Sequence, residues 1–181
     1  MDNYILEVRK SIPQKICNKI ISYYDQELID AKITAGLNKE IRNCLRKEIL
    51  LPKTFGETLL SNYIKSKVFE LAKSYKEKYS HVYFNKISQL EILKYEANEH
   101  NAGYRYHVDF GTTCTNRLLS ISINLNNDFE GGEFIFDLPN QEKELSQNVG
   151  DAIIFPSNFM FPHQVNKITK GVRYSLIAWV V

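Results

Sequence analysis

Residues 117–137 read RLLSISINLNNDFEGGEFIFD, and this stretch decides the fold class. Two short runs of β-branched and aromatic residues, 117–125 and 133–137, are separated by the turn residues Asn126-Asn127 and Gly131-Gly132. Short runs of this kind between turn residues are typical of β-strands. The same texture extends from Ile87 to the end of the chain, and it predicts further strands near 87–96, 104–109, 143–147, 151–155, 163–168 and 173–180, with turns at Gly150-Asp151 and Gly171.

The part of the chain before residue 85 is predicted to be helical. Apolar residues recur every four positions from Ile12 to Tyr24, and an amphipathic stretch runs from Glu57 to Tyr79. A shorter helix is predicted for Leu37 to Leu51, where Pro52 would end it. About eight strands preceded by helices predict a mainly β, α+β fold, a sandwich or jelly roll with helices behind one sheet. We expect one domain, 1–181, with 1–84 as helical support and 85–181 as the β core that carries the site.

The composition of the 181 residues argues against several classes of protein. The 23 basic and 21 acidic side chains leave a formal charge of +2, too small for a protein whose main partner is nucleic acid. The three cysteines are odd in number and form no C-x-x-C pair, which argues against a disulfide framework or a structural zinc site. The longest apolar run, 176–181, is far too short to span a bilayer. We expect a soluble, cytoplasmic protein with no membrane partner, and the oligomeric state stays open.

The residues Tyr106-His107-Val108-Asp109-Phe110 predict a metal site. Alternate residues of a strand point to the same side, so His107 and Asp109 can converge on one ion. His163 opens another predicted strand and can complete a facial triad. Two histidines and one carboxylate leave positions open for a bidentate cosubstrate and O2. This favours Fe(II) over a structural zinc site closed by four protein ligands.

The His-x-Asp pattern is weak evidence for a metal site by itself, because it often arises by chance. Arg173 strengthens the prediction. It lies ten positions after His163, in the mostly apolar stretch GVRYSLIAW (171–179). A buried guanidinium needs an anionic partner, because leaving it unpaired is costly. The distal carboxylate of a dicarboxylate would supply that partner while the other end of the molecule chelates the metal.

Four segments, YRYHVDF (104–110), LNNDFEGGEFIF (125–136), GDAIIFPSNFMFPHQV (150–165) and GVRYSLIAW, resemble the 2-oxoglutarate/Fe(II)-dependent dioxygenase superfamily, specifically its prolyl 4-hydroxylase-like branch. The resemblance covers about residues 85–181. It implies a double-stranded β-helix in which His107, Asp109 and His163 bind Fe(II) and Arg173 anchors 2-oxoglutarate. It also implies consumption of O2, release of succinate and CO2, and ascorbate as an optional reductant.

Three further residues are carried over from the resemblance as cosubstrate contacts. Tyr95 resembles the family tyrosine that precedes His-x-Asp and hydrogen-bonds the cosubstrate. Some relatives place a second tyrosine on the strand after His-x-Asp; this chain has none there, and Asn124 is the polar substitute. Trp179 has the strand parity of Arg173 and matches a family aromatic beside the cosubstrate or substrate. A tryptophan of the core is the alternative reading for Trp179.

The resemblance implies a hydroxylase that acts on a prolyl residue of a protein or peptide. A free amino acid or another small molecule is the alternative substrate. A non-catalytic metal-binding domain of the same fold and a cupin-like metalloenzyme without 2-oxoglutarate are the alternatives from other classes. Arg173 argues against the cupin-like enzyme, which would have no use for a dicarboxylate clamp. The polar loop 96–103 is expected to be either a lid over the substrate or a solvated connection.

Overall fold

The structure is a computed structural model, and it describes residues 1–97, 102–111 and 114–181. Four of the residues in the predicted lid, 98–101, lie outside the described part. The helices are α1 (Gln14–Tyr24) and α2 (Phe55–Lys78), with single 3-10 turns at Asp2–Tyr4 and Asp25–Glu27. The strands are β1 (Leu6–Val8), β2 (Ile29–Asp30), β3 (Arg42–Asn43), β4 (Leu45–Glu48), β5 (Ile87–Glu96), β6 (Gly103–His107), β7 (Leu119–Asn124), β8 (Phe129–Gly131), β9 (Phe134–Leu138), β10 (Gln141–Leu145), β11 (Ala152–Pro156), β12 (His163–Val165) and β13 (Ile168–Val180). Neither described helix has the length and apolar character needed to cross a membrane.

The strands form two antiparallel sheets that face each other. The large sheet has the order β1-β11-β7-β13-β5-β4-β2, with β8 paired to β13, and the small sheet has the order β10-β9-β12-β6-β3. Their facing sides share an apolar core, in which the rings of Phe136 and Phe155 meet edge to face at 4.8 Å. This arrangement confirms the predicted jelly roll.

The outer side of the large sheet packs against both helices in a second apolar core. A strand points alternate residues to opposite faces, so β7 serves both cores. Its Leu119, Ile121 and Ile123 face the helices, and its Ser120, Ser122 and Asn124 lie buried on the inner side. The inner side of the jelly roll is therefore partly polar, which prepares it for a site.

The predicted helix at 37–51 is wrong. Its residues form β3, which pairs with β6, and β4, which pairs with β5 and β2. The spacing of Leu37, Ile41 and Leu45 fits a helix, but Leu37 is 53% exposed, so it contributes no apolar face. Backbone pairing with strands far along the chain overrides the local pattern. The chain passes from the small sheet to the large sheet at Cys44.

The predicted turn at Gly171 is also wrong, because β13 continues through it. Gly171 has a φ of +76°, which a glycine adopts at little cost. The strand pairs with β8 up to Gly171 and with β5 from Val172 onward. A glycine therefore changes the partner of the strand here without ending it. The short strands β1, β2 and β8 were missed, and the predicted strand 163–168 is divided between β12 and β13.

Both long predicted helices are confirmed. The helix α2 begins at Phe55 because Thr54 and Glu57 form a capping box. The Thr54 hydroxyl accepts from the Glu57 N–H at 3.2 Å, and the Glu57 carboxylate accepts from the Thr54 N–H at 3.1 Å. Two of the donors that a helix start leaves unpaired are satisfied in this way.

Candidate metal centre

Two strands of the small sheet bring the three predicted metal ligands together. His163 at the start of β12 pairs with His107 at the end of β6, and Asp109 follows two residues later. The Nε2 atoms of His107 and His163 lie 3.6 and 3.7 Å from the two carboxylate oxygens of Asp109. The three candidate ligand atoms fall within 4.8 Å of one another. The side chains thus converge on one point between the sheets.

Each imidazole is oriented through its other ring nitrogen. Nδ1 of His107 lies 2.9 Å from the carbonyl oxygen of Arg105, and Nδ1 of His163 lies 3.1 Å from that of Phe161. A carbonyl can only accept, so each Nδ1 carries the proton and each Nε2 keeps a free lone pair. Burial, and then the neighbouring His163, lower the pKa of His107, which favours the neutral ligand form.

Aromatic side chains fix the planes of both imidazoles. The Tyr104 ring stacks on His107 with a centroid distance of 3.5 Å, and Phe134 stacks on His163 at 5.1 Å. Phe155 meets His163 edge to face at 4.8 Å. The rings leave little space around His163, which is 4% exposed. The ligand geometry is therefore held by packing as well as by hydrogen bonds.

Asp109 is buried and hydrogen-bonded from the large sheet. Its Oδ2 accepts from the Ser120 hydroxyl at 2.6 Å, and Ser120 lies 2.8 Å from the Ser157 hydroxyl. Burial alone would raise the pKa of Asp109. The nearby His163 and His107, together with the Ser120 hydrogen bond, outweigh burial and keep this pKa below its usual value. The group is therefore an anionic ligand at neutral pH.

The three side chains border a cavity of about 510 Å³ between the two sheets. Two neutral imidazoles and one carboxylate with an open side suit Fe(II), which needs free positions for a cosubstrate and O2. Among the residues described, no further histidine, cysteine or carboxylate joins the group. The donor set therefore fits an open catalytic iron better than a closed structural zinc.

Arg173 and Tyr95 lie at the closed end of this part of the jelly roll, directly opposite each other on β13 and β5. The Arg173 guanidinium carbon lies 5.6 Å from the Tyr95 ring and 5.9 Å from the Phe129 ring. Arg173 is 3% exposed, its hydrogen bond to Ser175 is 3.4 Å long, and it has no carboxylate partner among the described residues. Burial raises the pKa of Tyr95 well above its usual value, so its hydroxyl stays a donor.

Tyr95 lines the metal cavity, whereas Arg173 and Asn124 line a second cavity of about 240 Å³. Phe134 contributes to the walls of both cavities. The Asn124 amide nitrogen donates to Asn126 O at 2.7 Å and to Asn127 Oδ1 at 2.9 Å, which secures the turn after β7. Its buried Oδ1 has no hydrogen-bond partner among the described residues. Asn124 thus lies near Arg173, but its donors are already occupied.

Trp179 lines the metal cavity and pairs with Gln89, whereas Arg173 pairs with Tyr95 farther along the same two strands and lines the second cavity. The Arg117 guanidinium carbon lies 3.8 Å from the centre of the Trp179 ring. The indole N–H is buried and has no hydrogen-bond partner at ordinary distance and angle among the described residues. It still lies near enough to the Asp109 carboxylate to help lower the pKa of that group. Trp179 is therefore placed between the metal ligands and the open end of the cavity.

The sequence pattern missed three arginines at the open end, Arg42 of β3, Arg46 of β4 and Arg117 before β7. We call these three residues the arginine wall. Gln89 and Glu91 of β5 lie between them. A signal was available for these two, because they share the strand parity of Tyr95 and interrupt a mostly apolar strand. The arginines come from three separate segments, which only the fold brings together.

Comparison with known proteins links this site to one superfamily. A family model described as the 2OG-Fe(II) oxygenase superfamily matches residues 90–181. A PKHD-type hydroxylase of Prochlorococcus marinus is 35% identical over 83 residues, which cover 44% of this chain and 37% of that relative. A PKHD-type hydroxylase of Idiomarina loihiensis is 23% identical over 97% of this chain and 77% of its own length. The chain therefore covers well under two thirds of the length of the Prochlorococcus marinus relative.

Solved structures show the same fold. A prolyl hydroxylase from Trichoplax adhaerens, solved with a peptide fragment of the hypoxia inducible factor oxygen degradation domain, has a TM-score of 0.82 at 14% identity. The comparison covers 98% of this chain and 83% of that one. A prolyl-4-hydroxylase of Pseudomonas putida has a TM-score of 0.78 at 18% identity and covers 98% and 92% of the two chains. At such low identity the likeness concerns the fold alone.

Proposed function

The chain belongs to the 2OG-Fe(II) oxygenase superfamily, and from this premise we propose that it hydroxylates a prolyl residue of a protein or peptide. The reaction consumes 2-oxoglutarate and O2 and releases succinate and CO2. The observation that carries this proposal is the convergence of His107, Asp109 and His163 on one point beside an open cavity. The PKHD-type hydroxylases named among the relatives and the peptide-bound prolyl hydroxylase of the same fold favour this substrate class.

His107, Asp109 and His163 would hold the iron. Iron bound there supplies O2 activation coupled to decarboxylation of 2-oxoglutarate and oxidation of a substrate C–H bond. The protein contributes the fixed Nε2 lone pairs, the anionic Asp109 and the rings of Tyr104, Phe134 and Phe155, which pack against the two imidazoles.

Arg173 would bind the distal carboxylate of 2-oxoglutarate. It is a buried cation without a described carboxylate partner, and its planar fork can donate two parallel hydrogen bonds to such a group. The protonated Tyr95 hydroxyl on the opposite strand would add a third donor. Asn124 stays a predicted contact, although its amide group already donates to the turn after β7. Trp179 would shape the substrate side of the cavity.

We place the protein in the cytoplasm because its three cysteines are odd in number and form no C-x-x-C pair, and we treat 1–181 as one domain. A free amino acid or another small molecule is the alternative substrate, since the cavity is large enough for either. A non-catalytic metal-binding domain is the alternative from another class. The intact ligand set and the unpaired Arg173 argue against it.

The test is a product assay with Fe(II), 2-oxoglutarate, O2, ascorbate and a library of proline-containing peptides. The expected result is succinate together with a peptide that gains one oxygen atom on proline, both detected by mass spectrometry. Asp109→Ala is the negative control, because it removes the anionic metal ligand. Succinate formation that is unchanged in this variant would contradict the assigned centre.

A further inference from the structure

The cavity around the metal centre carries an excess of positive charge that the proposed chemistry leaves unbalanced. The described residues that line it include four long cationic side chains and only two carboxylates: Lys32, Arg42, Arg46, Arg117, Glu91 and Asp109. Asp109 faces the two histidines and is assigned to the metal. Glu91 is thus the one remaining carboxylate for the whole arginine wall among these residues.

Glu91 is bound most directly by Arg46. Their side chains form a close ion pair, and Glu91 is 1% exposed while Arg46 is 32% exposed. Arg42 reaches the other oxygen of Glu91 at 3.5 Å only. The Nε of Arg42 is buried without a hydrogen-bond partner among the described residues. The other contacts of the Arg42 side chain are Lys32 O at 3.4 Å, the Cys44 thiol, and the Tyr104 ring, whose centre lies 4.9 Å from the guanidinium carbon. One arginine is therefore paired, and Arg42 is only partly satisfied.

Arg117 has neutral partners only in the described part of the chain. It donates to the backbone oxygen of Asp109 at 3.1 Å and to the side-chain oxygen of Gln89, and its plane lies over Trp179. These contacts hold the guanidinium at the metal side of the cavity without neutralising it. A fixed, partly exposed guanidinium of this kind is suited to binding a carboxylate.

The cosubstrate would not neutralise the wall. In the proposed function, one carboxylate of 2-oxoglutarate binds the metal and the other binds Arg173 at the closed end. On β13, Arg173 lies opposite Tyr95 of β5, whereas Trp179 lies opposite Gln89. Gln89 and Trp179 are at the level of the arginine wall, so Arg173 is separated from the wall along the strand. The wall is therefore left to the substrate.

We propose that the arginine wall binds a carboxylate of the substrate and thereby selects acidic substrates. This inference rests on the proposed function and assigns the substrate class of the same cavity. The carboxylate has two sources, an acidic side chain next to the target proline in a peptide or the α-carboxylate of a free amino acid. Both place an anion beside the C–H bond that faces the metal.

Binding can be measured without turnover, because the chain has one tryptophan and it lies under Arg117. The protein is loaded with Zn²⁺ and 2-oxoglutarate, and Trp179 emission is followed during titration. The probes are two blocked peptides with a single proline flanked by glutamates or by glutamines. L-Proline and L-prolinamide form a second pair.

The glutamate peptide is expected to bind at least about 10-fold more tightly than the glutamine peptide, as for charge-assisted hydrogen bonds. High salt should reduce this advantage because part of the wall is open to solvent. A preference in the peptide pair identifies an acidic side chain as the source, and a preference for proline over prolinamide identifies the α-carboxylate. The absence of preference in both pairs would overturn the inference.

Variants test the residues. Arg117→Gln removes a cation that has no described carboxylate partner, so it is expected to fold and to reduce the acid preference to about twofold. Glu91→Gln removes the carboxylate of the wall and should tighten binding of the glutamate peptide several-fold. Lys73→Gln on the exposed side of α2 is the matched charge control and should change nothing. An unchanged preference in both cavity variants would contradict the assignment.

A 2-oxoglutarate titration separates failure of this inference from failure of the proposed function. Arg117→Gln should leave the 2-oxoglutarate concentration at half-saturation unchanged within about twofold, whereas Arg173→Ala should raise it strongly. An equal rise in Arg117→Gln would show that the wall binds the cosubstrate and would overturn the inference alone. Loss of 2-oxoglutarate binding in the wild type would instead remove the proposed function.

Discussion

The two ends of the jelly-roll interior hold arginine in opposite ways. At the closed end, Arg173 lies near the rings of Tyr95 and Phe129, has no carboxylate partner among the described residues, and is 3% exposed. At the open end, Arg42 and Arg46 of the arginine wall share Glu91, and their side chains are 12% and 32% exposed. A single enclosed cation suits one ligand of fixed shape, whereas several partly exposed cations suit a group that differs between substrates.

This difference would allow two neighbouring cavities, which share Phe134 in their walls, to select two different acids. The closed end would select a ligand by its reach, because only an anion long enough to contact the buried Arg173 can pair with that guanidinium. The open end selects by charge at lower cost, since its guanidinium groups are already hydrogen-bonded and Arg46 and Arg117 are partly exposed. The metal ligands lie between the two ends, so changes there should affect both.

The largest effect is expected from Asp109→Ala, which removes the ligand between the two ends. Metal affinity should fall at least about 100-fold, more than for loss of an outer hydrogen bond to a ligand, and turnover should disappear. Circular dichroism should show a folded domain, because the jelly-roll core does not depend on this side chain. Asp137→Ala, at an exposed position on β9, is the control. Normal turnover in Asp109→Ala would mean that the triad is misassigned.

A smaller effect is expected from Ser120→Ala. The variant removes the hydrogen bond to Asp109 Oδ2, which should weaken metal binding about 10-fold. Ser122→Ala is a matched control, because Ser122 is on the same face of β7 and its hydroxyl has no hydrogen-bond partner in the described part. Metal titration of both variants measures the difference. Equal affinities would show that Ser120 does not support the ligand.

Gly132→Ala tests the closed end by itself. Gly132 has a φ of +70°, and an added Cβ would collide with Ile168 Cδ1 and lie 3.1 Å from Cδ of Arg173. We expect a loss of about 1–2 kcal/mol in stability and a several-fold weaker binding of 2-oxoglutarate, with the acid preference of the open end unchanged. Gly111→Ala, whose added Cβ would meet no described atom within 4 Å, is the control. Equal weakening at both ends would refute their independence.

The smallest effect on binding is expected from Asp151→Asn, outside both ends. Burial alone would raise the pKa of Asp151, but hydrogen bonds from Arg9 and from the Lys10 and Asn148 N–H groups outweigh it and lower the pKa. Its stabilisation is present above the unfolded pKa of about 4 and is lost as the pH falls. Thermal unfolding should show a loss of about 1–2 kcal/mol at neutral pH and a weaker acid dependence, with unchanged ligand affinities. Changed affinities would show that the ends are coupled through β11.

The jelly roll and the ligand positions were predictable because they depend on strand periodicity. The spacing of His107 and Asp109 predicts that both lie on one side of a strand at 104–109, but β6 ends at His107 and Asp109 lies just beyond it. The apolar runs after Ile87 mark most strands of both sheets. The structure brings His163 to the same point through pairing of β12 with β6.

The path of the segment 37–51, the arginine wall and the course of β13 at Gly171 depend on contacts between distant parts of the chain, which no local sequence pattern encodes. The segment 37–51 has helical spacing, yet Arg46 pairs with Leu93 far along the chain and thereby enters the cavity. The arginine wall combines three segments in this way. Gly171 resembles a turn in sequence because glycine permits many conformations, and only pairing with β8 and β5 shows that the strand continues.

The central claim is that His107, Asp109 and His163 hold an Fe(II) that binds 2-oxoglutarate with Arg173 as its anchor. The direct test is anaerobic titration of the Fe(II)-loaded protein with 2-oxoglutarate, following the weak visible charge-transfer band of a chelated 2-oxo acid. The wild type should develop the band, and Arg173→Ala should need about 10- to 100-fold more 2-oxoglutarate to reach half of it. No band in the wild type, or the same midpoint in both proteins, would contradict the claim.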